Sequence, residues 1–276
     1  MISIKTPEEI GIMAEGGEIL ARIMKELEKQ VGPGIATKTL DELAEELILK
    51  SRGRCSFKGY RESSGEPAEP FPACLCTSIN EEIVHAVPSD RILKEGDIIS
   101  LDLGIFYPST SLGREGFHAD MAITVPVGKV SPVAEKLIDV TKKALEIGIE
   151  KVKLGNRIGD ISRAIQKYVE DRGFNVVREL CGHGIGRKIH EAPQILNSVS
   201  FDRTTVDKVK FVEDGTIEIK EGMVLCLEPM VTVGDWHIKK SKDGFGYKTK
   251  DGSLSCHFEH TVAVIKDGAK ILTVIK

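Results

Sequence analysis

Two stretches of this chain repeat each other, and the repeat limits what it can fold into. Lys94-Glu95-Gly96-Asp97-Ile98-Ile99-Ser100-Leu101-Asp102 lies on Lys220-Glu221-Gly222-Met223-Val224-Leu225-Cys226-Leu227-Glu228, Gly96 against Gly222, an offset of 126. Lys, Glu, Gly and Leu recur, two further positions are branched aliphatic in both, and each run ends on a carboxylate. His118-Ala119-Asp120 matches His257-Phe258-Glu259 in the same sense: histidine, spacer, acid. Thr6-Pro7 and Ser131-Pro132 each open a long helical stretch, at an offset of 125. A duplicated αβ unit is the simplest account, each half reading helix, helix, then strands with two acids. Chance likeness of short strands is the alternative. Halves of about 6–130 and 131–270, facing across a pseudo-two-fold axis, would bring four acids to one centre in a single domain spanning 1–276.

The hydroxyl–proline pairs are helix starts, because the hydroxyl caps free N–H groups and proline suits the first position. The expected helices are Pro7 to about Gln30, then 39–50, 132–152 and 159–171, with Leu40, Leu43, Ala44 and Leu47 as the apolar stripe of the second. Expected strands are 74–79, 83–87 with His85, 97–106, 118–127, 223–233, 246–250, 255–265 and 270–274. The 97–106 and 118–127 strands should pair as a hairpin. Residues 198–221 read as loop with one or two weak strands, and 61–72 and 108–116 as loop alone. So does Cys181-Gly182-His183-Gly184-Ile185-Gly186, where glycines permit φ > 0 and let backbone and ligand approach His183 closely.

Composition removes several function classes. A net charge of −4 and a pI near 6.0 leave no basic nucleic-acid footprint. Lys239-Lys240-Ser241-Lys242 is the one compact basic run and reads as a solvated turn. No segment approaches the roughly 18 apolar residues of a membrane span. No apolar stretch follows the N-terminus, so no secretory signal is expected. The six cysteines are scattered without paired zinc spacing, and reduced cysteines in a cytoplasm are the expectation.

Side chains alternate faces along a strand, so Asp102 shares a face with Ser100, and Glu228 with Cys226. Each acid interrupts an apolar strand, and a carboxylate buried alone must be paired, protonated or metal-bound. For any one acid, an ion pair or an exposed strand end serves as well. As a set, Asp102, Asp120, Glu228 and Glu259 would repel one another, and basic partners are few in these strands. Two divalent cations would resolve this, with His183 as the nitrogen ligand. Mostly oxygen ligands and one imidazole suit Mn²⁺, Fe²⁺, Co²⁺ or Zn²⁺. Two close metals bridged by a hydroxide suit hydrolysis. His85 and His190 are then neutral donors or proton shuttles, with core packing as the alternative. His118, His237, His257 and His260 read as structural. The glycines around His183 lack the spacing of a dinucleotide fingerprint.

With these residues in place, the chain resembles the type I methionine aminopeptidases. The likeness runs from Ile4-Lys5-Thr6-Pro7 to Glu259-His260-Thr261. It is carried by Ser78-Ile79-Asn80-Glu81 with His85, Gly116-Phe117-His118-Ala119-Asp120, Gly182-His183-Gly184-Ile185-Gly186 with His190, and Glu228-Pro229-Met230. The resemblance implies an α+β pita-bread fold, two pseudo-symmetric halves around a central antiparallel sheet. It implies five ligands to two metals: Asp120 and Glu259 bridging, Asp102 completing one site, His183 and Glu228 the other. It implies that His85 contacts the substrate amide and helps proton transfer, His190 binds the carbonyl or the developing oxyanion, and Glu228 carries a proton. Tyr60, Phe71, Cys76 and Phe245, with Ile189 nearby, match an apolar methionine pocket. The implied activity is removal of the initiator methionine from nascent chains with a small second residue. A cytoplasmic monomer working near the ribosome is expected.

The chain departs from the family pattern in places. Insertions stand near 62–70, 107–116 and 199–216, position 104 is Gly where Thr is frequent, Ile189 replaces an aromatic and Phe245 a Trp. These bear on pocket shape rather than on the ligands. No zinc-finger extension precedes the domain, which suits a bacterial-type enzyme. Two rivals remain at this level: a prolidase or aminopeptidase P, which carries a further N-terminal domain, and a binding protein that kept the fold without catalysis.

Overall fold

Four helices accompany the sheets, and the first and third begin on hydroxyl caps. Thr6 Oγ1 accepts from the Glu9 backbone N–H while Glu9 Oε2 accepts from Thr6 N–H, a reciprocal capping box that starts α1 (Pro7–Gln30). Ser131 Oγ accepts from Ala134 N–H and starts α3 (Pro132–Glu150). The other two helices are α2 (Thr37–Lys50) and α4 (Ile158–Glu170). α2 begins two residues before the expected 39: the Thr37 hydroxyl is tied to the Ser89 backbone, which fixes that turn. Its buried stripe is Leu40, Ala44 and Ile48, with Leu43 and Leu47 packed at its margin. The computed structural model describes residues 2–61, 69–109, 115–199 and 215–276. Most of the three insertions lies outside the described residues.

The strands are β1 (Arg54–Cys55), β2 (Leu75–Ile79), β3 (Glu82–Val84), β4 (Ile98–Tyr107), β5 (Phe117–Pro126), β6 (Asn175–Val176), β7 (Cys181–Gly184), β8 (Glu191–Leu196), β9 (Val224–Leu227), β10 (Met230–Thr232), β11 (Ile238–Lys240), β12 (Tyr247–Thr249), β13 (Ser255–His257), β14 (Glu259–Ile265) and β15 (Gly268–Ile271). Nine form one antiparallel sheet in the order β1-β4-β5-β14-β9-β7-β8, with β2 also on β4 and β15 on β14. β13-β10-β6 and β11-β12-β3 make two smaller sheets. Helix α1 packs on β4 and β5, and α2 on α1, β1 and β2, over one apolar cluster that includes Leu20, Leu40, Leu101 and Leu103. Helices α3 and α4 cover a second, around Leu137, Ile161, Leu225 and Val262.

Three expectations change. Cys181–Gly184 is not a loop but an interior strand between β8 and β9. None of its glycines, nor Gly186, uses positive φ. They are required by crowding: a Cβ on Gly182 would stand 2.3 Å from Cys226 O, and one on Gly184 2.3 Å from Ala192 O. The expected strands 223–233 and 255–265 are each broken, at Glu228-Pro229 and at Phe258. Pro229 has no N–H for a ladder, so the chain turns there and frees Glu228. Cysteine reduction also fails as a reading: Cys55 and Cys74 form a disulfide. They are distant in sequence, but β1 and β2 lie along the same edge of β4, Cys55 opposite Ile105 and Leu75 opposite Leu103. The remaining four cysteines are free.

Candidate metal centre

Strand register places the acids. Across β2, β4, β5 and β14 one row reads Cys76, Asp102, Ala122, Glu259. In the next, Gly104 faces Asp120, and Thr261 Oγ1 accepts from Asp120 N–H and donates to Asp120 O. That row continues through Cys226 to His183. Directly paired residues point to one face of a sheet, so Asp102, Asp120, Glu259 and His183 converge. Ligand atoms of Asp102, Asp120 and Glu259 lie within 4.8 Å of one another. Glu228, just past β9, stands beside them with Oε1 3.6 Å from His183 Nε2. Asn197 Nδ2 donates to its carbonyl and holds the turn.

These residues fit divalent cations. Asp102 Oδ1, Asp120 Oδ1 and Glu259 Oε1 are buried and accept no hydrogen bond. Burial first, then the neighbouring carboxylates, pushes Asp102 and Glu259 well above the usual carboxylate range, and Asp120 to about 8. Burial raises Glu228 to about 8. Buried acids without partners are costly, and a divalent cation relieves that cost. His183 Nδ1 is 2.9 Å from Gly184 O, so a proton there leaves the Nε2 lone pair facing the acids. Cys226 also has its sulfur within 4.8 Å of His183 and Glu259 ligand atoms. Burial, then the charge of Glu259, raises its thiol, which therefore stays protonated and is a poor ligand.

A cavity of about 180 Å³ opens above this floor. Every expected substrate residue lines it: His85, His190, Tyr60, Phe71, Cys76 and Phe245. Phe71 and Phe245 meet edge to face, ring centroids 5.5 Å apart. His85 follows β3 with φ 58°, a left-handed backbone that costs energy and recurs at working sites. Burial lowers His85 and His190 to about 4, so both rings are neutral at pH 7. Ile189 is not on the cavity; it packs with Ile185 in a separate cluster. Gly104 has no room for a larger residue, since a Cβ would stand 2.8 Å from Ser56 Cβ and 2.9 Å from Phe57.

Sequence reasoning missed Phe57, Leu180, Tyr247 and Lys240 on the cavity wall. Lys240 ends β11 rather than lying in a solvated turn. The aromatic pair Phe57 and Tyr60 in one short segment was a usable signal. Of the histidines read as structural, His237 pairs with exposed Asp235, His260 bonds Thr273, and His118 bonds Ser56. His257 is buried beside Glu228.

A curled antiparallel sheet with acids and one imidazole at its centre defines a class of metallohydrolase, and the comparisons agree. Residues 11–266 match the description Metallopeptidase family M24, and the chain belongs to that family. The likeness is to its methionine aminopeptidases. Methionine aminopeptidase 1 of Bacillus subtilis (strain 168) is 42% identical over 273 residues, covering 99% of each chain. The crystal structure of methionine aminopeptidase from Rickettsia prowazekii superposes with a TM-score of 0.87 at 34% identity, covering 99% of this chain and 100% of that one. A Xaa-Pro dipeptidase from Bacillus anthracis shares the fold, with a TM-score of 0.72 at 19% identity, but this chain covers only 62% of it. The protein is thus a metal-dependent aminopeptidase of the pita-bread fold. No helix among the described residues is long and apolar enough to cross a membrane.

Proposed function

We propose that this chain removes the initiator methionine from new chains with a small second residue, using two divalent cations held by Asp102, Asp120, His183, Glu228 and Glu259. The observation that carries it is the convergence of three buried carboxylates with unpartnered oxygens on one sheet face, under an apolar cavity. Glu259 belongs to both convergent groups; with Asp120 it would serve both cations, while Asp102 would complete one site and His183 with Glu228 the other. Mn²⁺, Fe²⁺, Co²⁺ and Zn²⁺ all suit these donors. When bound, the cations supply a water of lowered pKa and polarise the scissile carbonyl.

The protein groups do the rest. Tyr60 Oη is 2.8 Å from His190 Nδ1; with the phenol donating, His190 carries its proton on Nε2 and offers it to the substrate carbonyl. Neutral His85 donates to the amide at the scissile bond. Glu228 would take at Oε1, the oxygen facing His183, the proton the attacking water loses, and pass it to the leaving amine as the C–N bond breaks. Phe71, Phe245, Tyr60 and Cys76 enclose the methionine side chain. A single catalytic domain over 1–276, with halves of about 6–130 and 131–270, belongs to the same reading, supported by the α1–α2 and α3–α4 pairs over separate clusters. A cytoplasmic monomer acting near the ribosome belongs to the same reading, and likeness to bacterial methionine aminopeptidases supports the cytoplasmic part.

The test is Mn²⁺-reconstituted hydrolysis of Met-Ala-Ser against Ala-Pro-Ser. Wild type should release methionine only with metal, Asp102→Ala should lose both metal and activity, and His85→Ala should keep metal and lose kcat. Full activity in Asp102→Ala sinks the assignment. The native protein should also keep Met1, because Ile2 is bulky; intact-mass measurement reads this.

A further inference from the structure

Glu228 lies between two imidazoles. On one side His183 Nε2 is 3.6 Å from Oε1; on the other His257 Nε2 is 3.5 Å from Oε2. The second contact has no place in the chemistry described so far. His257 does not line the cavity, and its atoms belong to neither convergent ligand group. Its side chain is 1% exposed, and both ring nitrogens lack a hydrogen-bond partner. A buried imidazole without a partner is costly, and a fold that keeps one has a use for it.

The backbone around His257 is held firmly. Thr124 Oγ1, from β5, accepts from His257 N–H and donates to His257 O, and Ser100 Oγ stands 2.8 Å from the same hydroxyl. Across β10 and β13, His257 faces Met230, two residues beyond Glu228. The Glu228-Pro229 turn therefore runs beside His257-Phe258 at fixed register, and Phe258 N–H reaches Pro229 O. This frame fixes the His257 backbone beside Glu228, and closing 3.5 Å to a normal hydrogen bond needs only a few tenths of an ångström.

We propose that His257 is a positioning residue for Glu228: its Nε2–H donates to Oε2, fixes the carboxylate plane, and turns Oε1 toward His183 and the cavity. It acts through Glu228 and touches neither cation nor substrate. The inference rests on the reading of Glu228 as a ligand and proton carrier. Metal-ligating groups are ordinarily held this way by an outer donor, and losing the donor typically costs about 10- to 100-fold in metal affinity or activity.

The experiment compares His257→Leu, His257→Gln and Glu228→Gln. It measures the Mn²⁺ dissociation constant by calorimetry, with kcat and KM on Met-Ala-Ser. His257→Leu should lower kcat and Mn²⁺ affinity by about 10- to 100-fold, with KM held within about twofold. His257→Gln, whose amide still donates, should recover most of the loss. Unchanged kcat and Mn²⁺ affinity in His257→Leu, or equal losses in both His257 variants, would overturn the proposal. If Glu228→Gln binds Mn²⁺ like wild type, the ligand reading falls and this proposal with it. If Glu228→Gln loses Mn²⁺ while His257→Leu does not, only the positioning role falls. Wild-type protein gives an answer independent of variant folding. In the Zn²⁺-loaded state, ¹⁵N shifts should report His257 protonated on Nε2; protonation on Nδ1 overturns the proposal.

Discussion

The floor and the wall of the cavity are built differently. The floor is ladder: Asp102, Ala122 and Glu259 sit opposite one another on three hydrogen-bonded strands, with Asp120 two residues along. Their relative positions follow from register, and a slip of one residue would turn them to the other face. Most of the wall's aromatic residues come from connecting segments, with Tyr247 and Lys240 at strand ends. Phe57, Tyr60 and Phe71 lie between β1 and β2, tied to each other by local bonds such as Phe71 N–H to Tyr60 O. Phe245 sits between β11 and β12. Under the proposed function, the contrast assigns reactivity to the sheet and substrate choice to the loops. Disturbing each region separately should therefore damage different kinetic constants.

The largest effect is expected from Ala122→Leu. Ala122 pairs with both Asp102 and Glu259, so its side chain shares their face and its small size keeps the centre open. A leucine there should displace the carboxylates and lower kcat/KM by roughly 100-fold or more, given how steeply rate falls with misplacement. Mn²⁺ affinity should fall with it. Near-normal activity would break the claim that register alone sets the floor. Phe245→Ala attacks the wall instead. It removes the edge-to-face partner of Phe71 and part of the apolar lining. KM for Met-Ala-Ser should rise about 10-fold, with Mn²⁺ affinity unchanged. A loss of metal in this variant would show that wall and floor are not separable.

The same division explains what was legible in the sequence. The acids could be read because each breaks an apolar strand at a place the other half repeats. The hairpin of β4 and β5 could be read from alternation and length, and its register then brings Asp102 and Asp120 to one face. His183 is legible in the sequence, but its strand setting is not. Glycines signal loops on their own, and only the closeness of Cys226 O and Ala192 O shows that a strand demands them. Phe57 and Tyr247 escaped because cavity walls have no period to betray them. The disulfide escaped because Cys55 and Cys74 meet only when β1 and β2 line up on β4.

That disulfide closes the segment carrying Phe57, Tyr60 and Phe71, so it belongs to the wall. Replacing both cysteines, Cys55→Ser with Cys74→Ser, should cost about 3 kcal/mol of stability for a loop of this length. KM should rise less than in Phe245→Ala, and kcat and Mn²⁺ affinity should hold. A fall in Mn²⁺ affinity would tie the floor to the wall after all.

The smallest effect is a pH trend in the metal-free protein. Asp120 and Glu228 are raised to about 8 when folded, far above their unfolded values. A raised carboxylate binds more protons folded than unfolded, so its stabilisation is full at acid pH and is lost as pH rises through the folded pKa. His85, His183 and His190 are lowered to about 4, 3 and 4, so their contribution has the opposite sign, but it is complete once pH exceeds about 6.5. Between pH 7 and 8.5 the carboxylates act without that opposition. Chelator-treated protein should therefore melt a few degrees lower at pH 8.5 than at pH 7. Bound Mn²⁺ keeps the acids ionised throughout, so the loaded protein should lack this slope. Parallel slopes in both forms would mean that the floor is compensated by something other than a cation, and the contrast between its chemistry and the wall's would need another basis.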